Sequence, residues 1–166
     1  MTIQICDFVN FKNNRYVLID CEKGKSVIDS AEFDLEGKIC DTSCHRGYTA
    51  EYFVEDNVLY GIKTVDAYYV EDDGESSEKT KMSYTGSVVI GDGSFGDFLE
   101  CCLGCSEAYE LYFENGVLAE VNDLSEMLNE WAEQTKESDC MKQLEAERAF
   151  LKKRLKYEYG QNYKWR

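Results

Sequence analysis

The chain has 166 residues, a length that fits one domain, or one domain with an appended segment, and allows a buried core without help from disulfides. Apolar residue types make up 43% of it and charged types 31%, and no apolar run is long enough to span a bilayer, so we expect no membrane protein. Proline is absent, which excludes a collagen-like chain and a proline-rich linker. The first residues lack a basic start followed by an apolar stretch, so we expect no secretory signal and a cytoplasmic location.

The net charge of −15 is unevenly distributed. Residues 142–166 contain eight Lys or Arg and three Glu, a net of +5, which leaves ten bases and thirty acids, a net of −20, in residues 1–141. A body this acidic repels nucleic acid and anionic lipid and attracts basic partners. The same charge would also serve solubility alone, because a net charge far from zero keeps proteins apart.

Alternating apolar residues and turn signals predict strands through the first three quarters of the chain. The expected strands cover residues 2–11, 15–21, 26–35, 48–55, 58–65, 67–71, 82–90, 110–113 and 117–121. Turns are predicted at Asn13-Asn14, Asp56-Asn57 and Asn115-Gly116, and the last is the strongest signal because Asn-Gly supplies the two positive φ angles of a tight hairpin. Gly86 predicts a β-bulge.

Two of these hairpins resemble each other in sequence: Tyr52-Phe-Val-Glu-Asp-Asn-Val-Leu59 and Tyr112-Phe-Glu-Asn-Gly-Val-Leu118. Both consist of a strand, an acidic turn with Asn, and a strand. Two copies about 60 residues apart do not indicate a solenoid, which needs a short period and at least three repeats. We interpret them as similar hairpins of one antiparallel sheet.

Two helices are predicted after the strands. Asp123 and Glu126 have the spacing of a capping box, and Leu124, Leu128 and Trp131 fall on one face of the helix that follows.

The second helix is predicted from Ser138 or Asp139 to Tyr159, with Gly160 as its stop. Its apolar stripe is narrow and consists of Leu144, Leu151 and Leu155. We therefore expect it to pack against an acidic surface, either of its own body or of a second copy in a homodimer. Because the predicted hairpins are complete before Asp123, deletion of residues 142–166 should leave the sheet folded.

The order of the elements predicts an α+β fold: a largely antiparallel β-sheet of about seven to nine strands followed by two C-terminal helices. The expected units are an acidic β-rich domain, residues 1–122, and a helical segment with a basic tail, residues 123–166.

Eight cysteines and one histidine must be explained. In the reducing cytoplasm we expect free thiols. Cys40, Cys44, Cys102 and Cys105 could supply the four ligands of one zinc ion, which would make the protein a zinc-binding structural or regulatory module. The spacing of the first pair is loose for zinc, and a buried cysteine behaves as a small hydrophobe, so the sequence favours core thiols and no cofactor.

A dinucleotide-binding fingerprint, G-x-G-x-x-G, runs from Gly91 to Gly96 after an apolar strand. Its acidic neighbours Asp92, Asp97 and Glu100 would face a pyrophosphate with negative charge, so we interpret it as a glycine-rich loop. The chain has no Gly-x-Ser-x-Gly elbow, Walker A loop or His-Glu-x-x-His motif, and we expect no enzyme.

The sequence favours a non-enzymatic acidic binding protein that neutralises a basic partner. The partner would be a nuclease toxin, which makes this an immunity protein, or a nucleic-acid-binding defence protein, which makes it a phage-type, anti-CRISPR-like inhibitor that imitates nucleic-acid charge. Direct nucleic-acid binding is not expected, although the C-terminal stretch interleaves bases with aromatic residues.

The expected partner-binding residues lie in two acidic, turn-like segments and include the aromatic residues beside them, because binding residues concentrate on loops of a rigid scaffold. They are Glu71, Asp72, Asp73, Glu75, Glu78, Asp92, Phe95, Asp97, Phe98 and Glu100. For residues 72–79 the alternative interpretation is a solvated loop without a partner.

Overall fold

A computed structural model of the protein describes residues 7–22, 25, 27, 48–65, 78–92, 105–135 and 154–159. Eight strands and one helix lie in this part of the chain, and all the strands join one sheet. Their bounds are β1 Phe8–Phe11, β2 Asn14–Cys21, β3 Tyr48–Glu55, β4 Val58–Val65, β5 Thr80–Lys81, β6 Gly86–Gly91, β7 Ala108–Glu114, β8 Val117–Asp123 and α1 Ser125–Thr135. The fold is therefore mostly β: the predicted sheet is confirmed, whereas the predicted α+β fold with two helices is supported only in part, because the described residues contain one short helix.

The sheet closes on itself. The strand order is β3-β1-β2-β6-β7-β8-β4-β5, and β3 also pairs with β4, so seven strands form a closed barrel to which β5 attaches. The pairing is antiparallel except between β1 and β3, which are parallel. The predicted largely antiparallel sheet is confirmed, whereas its closure was not predicted.

Three two-residue turns join neighbouring strands, and both residues of each turn have positive φ: 50° and 65° in Lys12-Asn13, 49° and 62° in Asp56-Asn57, and 48° and 77° in Asn115-Gly116. Positive φ at both positions gives the backbone twist that tight hairpins need. The predictions for the second and third turns are confirmed. The first turn lies one residue earlier than predicted, because Asn14 already pairs with Phe11 in the β1–β2 ladder.

The strand predicted over residues 82–90 is shorter than expected. β6 begins at Gly86, and residues Met82–Thr85 lead into it without strand structure. The bulge predicted at Gly86 is also wrong, because Gly86 pairs with Phe113 in an unshifted β6–β7 register. The register shifts lie in the β2–β6 and β7–β8 pairings instead, where the twist of the closed sheet requires them.

Alternate strand residues point into the barrel and form its core. The buried core side chains include Val9, Phe11, Tyr16, Leu18, Ala50, Tyr52, Leu59, Val88, Ile90, Tyr109, Leu111 and Phe113. The Tyr109 ring packs edge to face against Phe11 and Tyr16, with centroid distances of 5.4 and 5.6 Å. An apolar cavity of about 10 Å³ lies within this core, far smaller than the few hundred Å³ of a typical ligand pocket.

Helix α1 packs on the outside of the barrel. Leu124 and Leu128 contact Val89 and Ala108 on the outer face of β6 and β7, in a second apolar cluster. Asp123 caps the start of the helix, because its carboxylate accepts a hydrogen bond from the backbone N–H of Ser125 at 2.9 Å, but in the described residues it does not pair with Glu126 as the predicted capping box requires. Among the described helices, none has the length and apolar character needed to cross a lipid bilayer.

Residues 154–159, here called the strap, cross the same outer face. Residues 138–153 of the predicted second helix lie outside the described part of the chain. Arg154 is helical, but residues 155–158 are not, and Tyr159 pairs with Glu22 in an antiparallel bridge. The prediction that this helix continues to Tyr159 is therefore wrong: the strap's backbone N–H groups bind a side chain of β7 instead of the preceding helical turn.

Candidate partner-binding surface

Most residues predicted to bind a partner lie outside the described part of the chain. These are Glu71, Asp72, Asp73, Glu75, Phe95, Asp97, Phe98 and Glu100. Of the two described residues, Glu78 is exposed directly before β5, and Asp92 is exposed directly after β6.

The Asp92 carboxylate is occupied within the chain. It accepts hydrogen bonds from the backbone N–H groups of Ser106 and Glu107 at 2.8 and 2.9 Å, and also from the Ser106 hydroxyl. These bonds join the two ends of segment 93–104. The Glu107 carboxylate in turn accepts a hydrogen bond from the Tyr16 hydroxyl at 2.8 Å. Asp92 thus has a clear structural role at the base of the glycine-rich segment.

Of the four predicted zinc ligands, Cys105 is described, and Cys40, Cys44 and Cys102 lie outside the described residues. Cys105 packs beside the apolar cluster under α1, so close to Gly91 that a Cβ atom there would lie 2.7 Å from the sulfur. In the described part of the chain, no three His, Cys, Asp or Glu side chains are placed to hold a metal ion. Cys21 is buried in the barrel core, the environment expected for a core thiol.

The two similar hairpins meet where the barrel closes. β4 pairs with β8 at Val58 opposite Val117, and backbone hydrogen bonds of 2.8 and 2.7 Å flank this pair. We call this contact the seam. Side chains of such a pair, which itself exchanges no hydrogen bonds, lie especially close together. The internal repeat noted in the sequence therefore builds one junction from two halves.

Gly116 makes this close approach possible. Its φ of 77° is unfavourable for other residues, and a Cβ atom there would lie 1.8 Å from the carbonyl oxygen of Met82. Its N–H donates to the Tyr84 carbonyl at 2.8 Å, while the Met82 N–H donates to the Leu59 carbonyl at 2.9 Å. The segment between β5 and β6 thus hydrogen-bonds to both hairpins and stabilises the seam.

Four residues form a row across the seam on the outside of the barrel. The registers place Glu55 beside Val58, Val58 beside Val117, and Val117 beside Glu114, and directly paired residues share a face. Val117 is 45% exposed, and both glutamates are exposed. With strands about 4.8 Å apart, the two carboxylate-bearing positions are roughly 14 Å apart with an apolar pair between them.

Aromatic side chains extend this row. Phe53 pairs with Tyr60, two residues further from the turn than the pair of Glu55 and Val58, and both aromatic residues are half-buried. The Lys79 ammonium lies 4.1 Å from the centre of the Phe53 ring and forms an ion pair with Glu55. We call the whole patch the seam surface; its members are Phe53, Glu55, Val58, Tyr60, Glu114 and Val117.

The seam surface has the composition of a protein–protein interface: apolar and aromatic residues in the centre and charge at the rim. Sequence reasoning did not predict it as a site. One signal was present, because a valine follows the turn of each hairpin and a glutamate precedes it. Only the pairing of β4 with β8 brings the two valines together.

A second acidic feature lies on α1. Glu126, Glu130 and Glu133 are exposed at spacings of four and three residues, and the last turn of the helix contains no basic residue. Like charges at this spacing, and a carboxylate near a helix C-terminus, each cost a few tenths of a kcal/mol. The exposed face of α1 is therefore acidic, and it is separate from the seam surface.

The outer face of β7 is closed by the strap. The Glu110 carboxylate is 2% exposed and accepts hydrogen bonds from the backbone N–H groups of Lys156 at 3.1 Å and Tyr157 at 3.2 Å. The Asn122 amide and the Tyr159 hydroxyl donate to the same carboxylate, each at 2.8 Å. Burial, together with Glu110, raises the pKa of Tyr159 well above its ordinary value of 10.0.

No protein-family model, curated protein or solved structure matches the chain. A functional proposal therefore depends on the chemistry of the exposed surfaces.

Proposed function

We propose that the protein is a non-enzymatic cytoplasmic binding protein that docks its seam surface on a basic partner protein and neutralises it. The observation that carries this proposal is the outward-facing row in which Glu55 and Glu114 flank the valine pair. The apolar centre would provide affinity through burial, and the flanking carboxylates would select a partner with basic groups around an apolar anchor.

The net charge of the chain also supports a basic protein partner. A net charge of −15 raises the rate of encounter with basic proteins and disfavours direct contact with nucleic acid. A nuclease toxin and a nucleic-acid-binding defence protein both present basic surfaces, because both must contact phosphates. The protein would accordingly act as an immunity protein or as a charge-mimicking inhibitor.

The experiment is affinity capture with the full chain as bait, followed by identification of the captured protein and measurement of its affinity. The test bait carries Glu55→Gln, Glu114→Gln and Val117→Ser. The matched control bait carries Glu126→Gln, Glu130→Gln and Asn129→Ser on α1, which removes the same charge from another exposed face.

We expect a basic partner that binds the wild-type and control baits alike and binds the seam variant at least tenfold more weakly, a loss of about 1.4 kcal/mol. Its affinity should also fall as salt is raised, because the rim charges are exposed and screened. A partner that binds the seam variant as tightly as the wild type, or whose affinity is independent of salt, would contradict the proposal.

A further inference from the structure

The two hairpins of the seam correspond next to their turns, although the β7–β8 register shifts between Tyr112 and Phe113 and the β3–β4 register does not. Val58 and Val117 then correspond, as do Glu55 and Glu114, because each glutamate pairs with the valine across its own turn. Two residues before each glutamate stands an aromatic residue on the same outer face. This residue is Phe53 in the first hairpin and Tyr112 in the second.

In the first hairpin, the aromatic residue and the glutamate together bind a cation. The Lys79 ammonium lies over the Phe53 ring, 4.1 Å from its centre, and pairs with Glu55. Each contact is modest at an exposed site, but the ring and the carboxylate act on the same ammonium group. The protein thus contains an occupied example of a half-site for an alkylammonium group.

In the second hairpin, the corresponding glutamate is open. Glu114 is exposed, and no cation of the described residues pairs with it. Tyr112 is half-buried and stacks on Tyr157 of the strap, with ring centroids 4.9 Å apart and planes 4° from parallel. This stack fixes the orientation of the Tyr112 ring, so the half-site is preorganised, and no cation of the described residues fills it.

We infer that Tyr112 and Glu114 form an open half-site for a lysine or arginine side chain of the partner, the counterpart of the site that Lys79 fills in the first hairpin. This inference rests on the proposed function and makes it more specific. The partner would present a cation about one strand spacing from the apolar residue that covers the valine pair, a distance on the order of 5 Å along the row.

The test uses hexalysine as the probe, titrated into the full chain by calorimetry at about 20 mM salt, where screening of exposed charges is weak. Glu114→Gln is compared with Glu126→Gln, a change of equal charge at an exposed position on α1. We expect Glu114→Gln to weaken binding about threefold more than its control, the size of one exposed ion pair with a cation–π contact.

A second pair of variants tests the equivalence of the two halves. Lys79→Ala vacates the first half-site, whereas Lys81→Ala removes the same charge from a neighbouring exposed position. Tighter binding of hexalysine to Lys79→Ala than to Lys81→Ala is expected. Equal effects within both pairs would overturn the half-site and leave charge-driven binding intact, whereas a wild-type chain that does not bind hexalysine at all would overturn the half-site and count against a basic partner.

Discussion

Two outer faces of the barrel differ in how far other parts of the chain cover them. On the outer face of β6 and β7, α1 and the strap cover valine, alanine and leucine side chains, and the Glu110 carboxylate accepts hydrogen bonds from four residues, three of them in the strap. On the outer face of the seam, two valines and two glutamates are left in contact with water or only partly covered. The same residue types thus serve stability on one face and remain available for binding on the other.

This difference shows how a buried carboxylate differs from an exposed one. Glu110 has a donor for each of its oxygens, and the loss of its charge would leave those donors without partners inside the protein. Glu114 is exposed, so its loss should hardly affect folding. Substitutions on the two faces should therefore separate stability from binding.

The largest effect is expected from Glu110→Ala. The backbone N–H groups of Lys156 and Tyr157 and the Tyr159 hydroxyl would lose their acceptor in a partly buried site, so the free energy of unfolding measured in urea should fall by about 3–5 kcal/mol. Glu120→Ala is the control, because Glu120 forms an exposed ion pair with Lys156 and should contribute less than about 1 kcal/mol. Similar effects of the two substitutions would show that the strap is not held by Glu110.

The expected loss of stability for Glu110→Ala also revises the expectation that residues 142–166 are dispensable. Leu155 and Tyr159 pack against the second apolar cluster, and Tyr159 pairs with Glu22, which directly follows β2. Deletion of 142–166 should therefore destabilise the barrel as well as shorten the chain. Calorimetric unfolding of the truncated protein at the wild-type temperature would contradict this.

The next largest loss of stability is expected at Gly116 in the seam. Gly116→Ala places a methyl group against the Met82 carbonyl and forces alanine to a φ of 77°, so we expect a loss of about 2–4 kcal/mol. Asn115→Ala is the comparison, because it places alanine at a positive φ of 48° without adding a Cβ atom. Equal, small effects in chemical denaturation would mean that the two hairpins separate readily.

A smaller effect is expected from Tyr159→Phe and should depend on pH. At neutral pH the loss of the hydroxyl bonds to Glu110 and Ser87 should cost about 1–2 kcal/mol. Because burial raises the pKa of the folded-state hydroxyl above 10.0, the folded protein retains this proton more tightly than the unfolded chain does. The stability contribution is therefore complete below about pH 10 and declines as the pH rises further.

Urea unfolding between about pH 8 and 12 measures this dependence, because that range brackets the ordinary tyrosine pKa of about 10. Burial also raises the pKa of Tyr84, and it raises that of Tyr16 to about 12, so the wild type and the variant should both lose stability in alkali. The variant should lose less, because one of the three hydroxyls is absent. Parallel pH profiles would show that Tyr159 is not buried against Glu110.

The smallest effect on folding is expected at the seam valine. Val117→Ala should change the free energy of unfolding by less than about 0.5 kcal/mol because Val117 is 45% exposed, while Val89→Ala, at a position that is 3% exposed under α1, should cost about 1–3 kcal/mol. The partner's affinity should respond in the opposite order. A Val117→Ala variant with unchanged affinity for the captured partner would remove Val117 from the binding surface.

Local chemistry determined the strands, the turns and the first helix. Asp-Asn and Asn-Gly adopt positive φ at low cost, alternation marks half-buried strands, and Asp123 accepts the bond from Ser125 regardless of what lies further away. These features depend on residues within a few positions of each other. The predictions from sequence therefore located the turns to within one residue and most of the described strands to within two, although β6 begins four residues later than predicted.

Tertiary structure alone decided the closure of the barrel, the parallel pairing of β1 with β3, and the end of the helical structure at Arg154. Each depends on groups far apart in sequence. Glu110, one of thirty-three acids, is distinguished only because the strap lies 46 residues later and covers it. Val117 is likewise ordinary in sequence and becomes part of a surface only because β4 pairs with β8, since the free energy of such contacts depends on the whole fold rather than on neighbouring residues.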